Sequence, residues 1–162
     1  MSNRETLLAS DLPFSEPQRE ILRGLVGSII PASKDYDTPG ADDPLILKDI
    51  LVTARPYTDI FASGLEDIDQ QAIRNYDGVG FAALSANDRH AMAEQLSQSL
   101  NAFLRTLVSI TVQCYYRDDR VMQALGMEPR PPFPEGFTVE EGDWTLLEPV
   151  RRRGKLYREV DV

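Results

Sequence analysis

The sequence predicts an all-α protein, a compact bundle of about five helices followed by an extended C-terminal tail rich in proline and aromatic residues. Three observations carry this prediction. Apolar residues recur at helical spacing up to Gly126, capping residues and prolines mark the helix ends, and prolines and aromatic residues replace the helical pattern beyond that point. A chain of 162 residues, 42% of them hydrophobic, can form one domain with a sizeable core. We predict a flexible N-terminal arm over 1–13, a helical domain over 14–126 and a tail over 127–162.

The first helix is predicted to begin at Ser15. Ser15 and Gln18 match a capping box, and Pro17 suits the first turn. The apolar stripe that follows consists of Ile21, Leu22, Leu25, Val26, Ile29 and Ile30. Pro31 ends this helix because proline disfavours helical geometry at the residue before it. The next segment, 31–44, is rich in proline, glycine and aspartate and is expected to form a tight, ordered loop.

The second helix is predicted to follow Asp42 or Asp43, either of which can accept the free amide hydrogens of its first turn. Pro44 suits that turn, and Pro56 should end or kink the helix. Its apolar stripe consists of Leu45, Ile46, Ile50 and Leu51.

A third helix is expected from Tyr57 to the turn at 75–80. Its apolar positions are Ile60, Phe61, Leu65, Ile68, Ala72 and Ile73. Gly64 weakens the prediction in the middle, because glycine destabilises helix interiors.

The longest helical region is predicted to begin at Ser85, which matches a capping box with Asp88. Its apolar residues keep nearly helical spacing through Met92, Leu96, Leu100, Phe103, Leu104, Leu107, Val108 and Thr111. Asn101 is a candidate break in this region, which should be the central packing element. A short final helix is expected from Asp118 to Leu125, with Gly126 as the left-handed residue after it.

The tail combines prolines with large apolar side chains. Its prolines exclude regular helix over the cluster Pro129, Pro131, Pro132 and Pro134. Free disordered tails are poor in aromatic residues, so we expect this tail to pack against another surface. The candidate residues for a partner interface are Tyr116, Phe133, Phe137, Trp144, Arg151, Arg152, Arg153 and Tyr157.

The charge balance restricts the possible partners. With 26 acidic and 17 basic residues the net charge is -9, which argues against nucleic acid and against anionic membranes. The basic run 151–153 could bind phosphate or RNA, but docking onto an acidic protein surface is the simpler interpretation. The longest apolar stretch, 103–116, is too short and too interrupted to insert into a bilayer. The sequence as written starts without a signal peptide, which favours a cytoplasmic location; a periplasmic one stays open if a signal was removed or the partner carries one.

No residue combination predicts catalysis, cofactor binding or metal binding by this chain. His90 lies four residues before Glu94, a spacing typical of an exposed helical ion pair. Cys114 is surrounded by apolar residues, which indicates a buried thiol. The aspartates at 35, 37, 42 and 43 have oxygen ligands of the kind that calcium uses, but their spacing does not match an EF-hand, and helix-terminal charges explain Asp42 and Asp43 more simply.

Several short motifs, taken together and in order, resemble those of a known family. They are Ile29-Ile30-Pro31, Thr38-Pro39-Gly40-Ala41, Phe103-Leu104-Arg105-Thr106-Leu107, Tyr115-Tyr116-Arg117-Asp118 and Ala124-Leu125-Gly126. From about Phe14 to Phe137 the chain resembles the gluconate 2-dehydrogenase subunit 3 family.

That resemblance implies a noncatalytic small subunit of a heteromeric oxidoreductase. The larger partner, of the glucose-methanol-choline (GMC) type, would hold FAD and oxidise a sugar, glycoside or polyol, and this chain would stabilise it or assist its maturation. Family members often carry a twin-arginine export signal, and this N-terminus departs from that pattern. Two alternatives stay open: a stand-alone helical interaction or chaperone module, and a small independent enzyme that uses His90 or the pair Asp35 and Asp37.

Overall fold

The computed structural model describes residues 13–98, 101–131, 133–138 and 141–154. Within these residues the protein is all-α, as predicted. Its α-helices are α1 (Glu16–Ile29), α2 (Pro44–Thr53), α3 (Thr58–Asn75), α4 (Ala86–Ser97), α5 (Ala102–Tyr115), α6 (Asp119–Ala124) and α7 (Glu148–Arg152). Short 3-10 turns occupy Arg55–Tyr57, Phe81–Ala83 and Trp144–Leu147.

The chain divides into two compact units after Pro129. We call the described residues up to Pro129 the helical body, and those from Arg130 to Gly154 the C-terminal segment. Apart from Pro13, the predicted flexible arm lies outside the described residues. None of the helices in the described part of the chain is both long enough and apolar enough to cross a membrane.

The first two helices begin and end where their capping residues and prolines predict. The backbone N–H of Ser15 donates to the side-chain oxygen of Gln18 at 2.9 Å, and α1 follows. Asp43, rather than Asp42, caps α2, since its side chain accepts the Leu45 N–H at 3.0 Å. Pro56 lies in the 3-10 turn that separates α2 from α3.

The longest predicted region is two helices, so Asn101 is a true break. Its side-chain oxygen accepts the Leu104 N–H at 2.9 Å and thereby starts α5. The described residues of the helical body therefore form six α-helices, one more than if the region after Ser85 were a single helix. The short final helix is also confirmed: Asp118 caps α6, and Gly126 follows it with a φ of 72°.

The core is built from the apolar stripes of these helices. α5 contacts α1, α2 and α3, whereas α1 contacts α3, α4, α5 and the 3-10 turn Phe81–Ala83, so the central role predicted for the region after Ser85 is shared between α5 and α1. The largest side chains without solvent exposure include Leu22, Ile50, Phe61, Phe81 and Leu107. Burying each such side chain contributes roughly 1.5–3 kcal/mol.

Three aromatic rings join the start of α1 to α3 and α5. The rings of Phe14 and Phe61 stack with centroids 5.7 Å apart. The Phe103 ring meets Phe61 edge to face at 5.2 Å. Phe103 fits here because Gly64 has no side chain: a Cβ at that position would overlap the Phe103 ring.

The loop between α1 and α2 is ordered, as its composition predicts. Ser33 and Thr38 exchange two backbone hydrogen bonds of 3.0 Å. The Tyr115 hydroxyl donates to the carbonyl of Pro39 at 3.1 Å and so fastens the loop to α5.

Candidate partner interface

The residues with catalytic potential lie in ordinary structural settings. The His90 Nε2 atom is 3.8 Å from the Glu94 carboxylate, and both side chains are exposed. This is the helical surface pair that the spacing predicts. Asp35 and Asp37 are exposed on the loop before α2.

Cys114 is buried, as predicted. Its thiol lies 3.5 Å from the Thr53 hydroxyl oxygen, to which it donates. Burial raises the pKa of the thiol, and the nearby Thr53 and Arg117 offset part of this rise. Because the thiolate is the nucleophilic form, a raised pKa makes this cysteine a poor nucleophile.

Two carboxylates of the helical body have structural roles at a helix end and in a loop. Asp43 caps α2, and the Asp69 side chain accepts the backbone N–H of Phe81 at 2.8 Å. Asp69 is thus a half-buried structural acceptor. Across the described part of the chain, no group of three or more His, Cys, Asp or Glu side chains is arranged to hold a metal ion.

A three-residue ionic cluster joins α2 to the start of α6. The Arg120 guanidinium lies 2.7 Å from the Asp43 carboxylate and 3.0 Å from that of Asp118. Its hydrogen bonds hold the pKa of both carboxyls below their usual value of about 3.8. Sequence reasoning missed this cluster, because Asp43 and Arg120 are 77 positions apart and share no local pattern.

The cluster is one end of an antiparallel seam between α2 and the chain from α5 to α6. Asp43 at the start of α2 binds Arg120, and Asp49 in its middle lies 3.9 Å from Arg117. At the end of α2, the Thr53 hydroxyl accepts a hydrogen bond from the Cys114 thiol. Positions that increase along α2 therefore meet positions that decrease from α6 to α5. This order fixes the orientation of the end of α5, where the first predicted interface residue lies.

Tyr115 and Tyr116 divide their roles between core and surface. Tyr115 is 5% exposed, whereas Tyr116 is 52% exposed, and the two rings meet edge to face at 5.2 Å. Val112, one helical turn before Tyr116, is exposed as well. The outer face of α5 therefore ends in an apolar strip on the helical body.

The first half of the C-terminal segment folds back on itself. The Arg130 guanidinium donates to the carbonyl of Gly136 at 2.7 Å and lies 5.0 Å from the centroid of the Phe137 ring. A cation over an aromatic face at this distance is attractive. Phe133 is 85% exposed in the same loop.

The second half presents a row of large apolar side chains to solvent. Trp144 is 66% exposed, Leu146 73% and Val150 58%. They lie on the 3-10 turn Trp144–Leu147 and on α7, which continues from it. These two short helical turns were not predicted from the sequence.

Two of the predicted interface arginines share one acidic neighbour on α7. Arg151 and Arg152 each lie 3.8 Å from the Glu148 carboxylate, and all three side chains are exposed. Arg153 is exposed at the end of α7. The structure thus brings Trp144 and the three arginines onto one stretch of the C-terminal segment, places Tyr116 on the helical body, and leaves Tyr157 outside the described residues.

Comparison with protein families gives a match to the helical body. A family model described as gluconate 2-dehydrogenase subunit 3 matches residues 16–129, which is more than half of the 162-residue chain. No curated protein and no solved structure matches. The matched range runs from the first residue of α1 to the end of the helical body, and the C-terminal segment lies beyond it. The chain belongs to the gluconate 2-dehydrogenase subunit 3 family.

Proposed function

We propose that this chain is the noncatalytic small subunit of a heteromeric FAD-dependent oxidoreductase. Its partner is a larger GMC-type subunit that binds FAD and oxidises a sugar, glycoside or polyol. The chain itself binds no cofactor, and it stabilises the larger subunit or assists its maturation. Membership of a family described as a dehydrogenase subunit supports the accessory role.

The observation that carries the proposal is the exposed apolar row on the C-terminal segment. The large apolar side chains of Trp144, Leu146 and Val150 are exposed to water. Burying them against a partner would favour binding by about 25 cal/mol for each square ångström of apolar surface. Tryptophan is also one of the residue types enriched among the side chains that dominate binding energy. A surface of this kind is typical of a segment that is covered by another protein.

The charges beside this row indicate what the covering surface is like. Arg151, Arg152 and Arg153 are exposed in a protein of net charge -9. The exposed pairing of Arg151 and Arg152 with Glu148 at 3.8 Å contributes little free energy, so these guanidinium groups can exchange it for acidic groups of a partner. The proposed partner therefore offers an apolar groove with an acidic rim.

The test is co-purification of the tagged chain with its flavoprotein partner. Trp144→Ala should weaken the complex by about 2 kcal/mol, or roughly 30-fold in dissociation constant, because a central aromatic anchor is lost. The matched control is Tyr36→Ala, which removes another exposed aromatic ring, on the loop before α2. We expect the control to bind like the wild type. Equal binding by all three chains would rule out the C-terminal segment as the interface.

A further inference from the structure

A cleft of about 460 Å³ lies on the helical body between α1, the loop before α2 and the start of α4. Its volume is in the range of sites for small molecules, about 300–1,000 Å³. Small residues on α1, among them Gly24 and Gly27, form part of its lining. Arg89 and Asp42 line it as well, and neither has a role in the proposed partner interface.

Arg89 is a fixed cation that has no counter-ion among the described residues. Its Cδ atom lies 3.2 Å from the point that a Cβ on Gly24 would occupy, so the stem of the side chain rests on the backbone of α1. One terminal nitrogen donates to the carbonyls of Leu84 at 3.0 Å and Ala82 at 3.3 Å. Within the described residues no carboxylate lies within 4.0 Å of the guanidinium, and its buried Nε has no hydrogen-bond partner. Such a group is unusual, since polar atoms removed from water are nearly always paired.

Asp42 is the matching anion. Its Cγ atom lies 3.1 Å from the point that a Cβ on Gly27 would occupy. Among the described residues its carboxylate makes no hydrogen bond or ion pair. Gly24 and Gly27 are about 4.5 Å apart along the helix axis. The guanidinium stem and the carboxylate therefore lie side by side on one face of α1 without pairing with each other.

The other charges at the rim are largely balanced. Arg23 and Glu20 form an exposed pair at 3.3 Å, and His90 pairs with Glu94. Among the described residues that line the cleft, the charged groups without an ionic partner are thus the Arg89 guanidinium and the Asp42 carboxylate. An anionic ligand would pair with Arg89 but would be repelled by the nearby Asp42 carboxylate. A cationic ligand would pair with Asp42 but would be repelled by Arg89. A neutral polyol would leave both charges without an ionic partner.

We propose that this cleft binds a small zwitterion of the α-amino acid class, with its carboxylate on Arg89 and its ammonium group on Asp42. The carboxylate accepts from guanidinium donors that are already held in place, which lowers the entropy cost of binding. The open volume of the cleft, about 460 Å³, leaves room for the carbon between the two charged groups. This binding activity goes beyond the proposed subunit function and does not rest on it.

The experiment is saturation-transfer NMR on the full chain with three matched probes. L-Alanine carries both charges, N-acetyl-L-alanine lacks the ammonium group, and L-alaninamide lacks the carboxylate. We expect saturation transfer to L-alanine and at least about tenfold weaker binding of each derivative, the loss of one ionic contact. Equal transfer to all three probes, or no transfer to L-alanine, would overturn the proposal.

Two pairs of variants locate the binding. Asp42→Asn should abolish the preference for L-alanine over its N-acetyl derivative, whereas Asp35→Asn, an exposed aspartate on the same loop, should keep it. Arg89→Gln should abolish the preference over the amide, with the exposed Arg74→Gln as control. Because Arg89 also bonds two backbone carbonyls, its variant could fail to fold, and the Asp42 pair then decides. Unchanged discrimination in Asp42→Asn would refute the assignment.

Discussion

At Gly64, the packing of α3 against α5 leaves no room for a side chain. A Cβ there would overlap the ring of Phe103, which is buried and already held edge to face against Phe61. Alanine gains about 1 kcal/mol over glycine in a free helix, but overpacking a rigid core costs about 1–3 kcal/mol. Because the added Cβ would overlap the Phe103 ring itself, the upper end of that cost applies, and we expect Gly64→Ala to lower the free energy of unfolding by about 2 kcal/mol in urea titrations.

The control for this prediction is Gly142→Ala. No atom lies within 4 Å of a Cβ at that position, so its effect should stay within about 0.5 kcal/mol. A Gly64→Ala chain as stable as the wild type would show that α3 and α5 can separate without cost.

The Arg120 cluster predicts a pH-dependent contribution to stability. Its hydrogen bonds lower the pKa of Asp43 and Asp118 in the folded state. A lowered carboxyl pKa stabilises the fold above the unfolded value near pH 4, and the gain is lost as pH falls through the folded pKa. Arg120→Gln should cost on the order of 1–2 kcal/mol at pH 7, between the limits for exposed and buried pairs.

In denaturation experiments that difference should begin to shrink as pH falls below about 4, and it should vanish below the lowered folded-state pKa of the two carboxyls, where they are protonated in both chains. Arg74→Gln, an exposed arginine on α3, should match the wild type at both pH values. A gap between Arg120→Gln and the wild type that is independent of pH would contradict an ionic origin.

Such residue-scale contacts are the part of the structure that the sequence could not reveal. The Asp43 side chain was expected as a helix cap, which needs only its neighbour Leu45. Its second role, binding Arg120, depends on how α2 and α6 meet in space. Likewise, Gly64 was seen only as a weak point in a helix, although the structure shows it as the place where Phe103 crosses α3.

At the scale of elements, sequence reasoning succeeded where the signal is local. Each predicted helix of the body is present, because caps, prolines and apolar spacing act within a few residues. It missed the turn at Trp144–Leu147 and the five-residue helix α7, which are too short for a periodic pattern. The interface arginines were therefore predicted from residue type alone, without the short helix α7 that follows the turn at Trp144.

The cap at Asn101 gives the element-scale prediction. Its side chain satisfies the Leu104 N–H and starts α5, the helix that contacts α1, α2 and α3. Asn101→Ala should lower the free energy of unfolding by about 1 kcal/mol, the usual cost of losing an N-cap. Asn87→Ala, an exposed position within α4, should change it by less than about 0.5 kcal/mol. Equal effects of the two variants in the same titration would argue against a capping role.

At the scale of the whole molecule, the helical body holds the hydrophobic core, and the C-terminal segment holds most of the proposed partner interface. Among the described residues, the buried apolar side chains extend from Ile21 to Val121, within the helical body that the family match covers. The C-terminal segment instead holds the exposed row around Trp144. The sequence pointed to this contrast through composition alone, since a tail rich in aromatic residues has no core of its own to fill. Which surface covers the tail depends on a second protein and so cannot be read from one chain.

The most direct test of the subunit proposal is to purify the tagged full-length chain from its native cells and record the absorbance spectrum of what is retained. The account predicts a yellow complex with a larger subunit, in which released FAD is stoichiometric with that subunit and sugar- or polyol-oxidising activity elutes with it. The chain expressed alone should be colourless. Recovery of the chain as a flavin-free monomer, with the oxidoreductase activity in other fractions, would contradict the account.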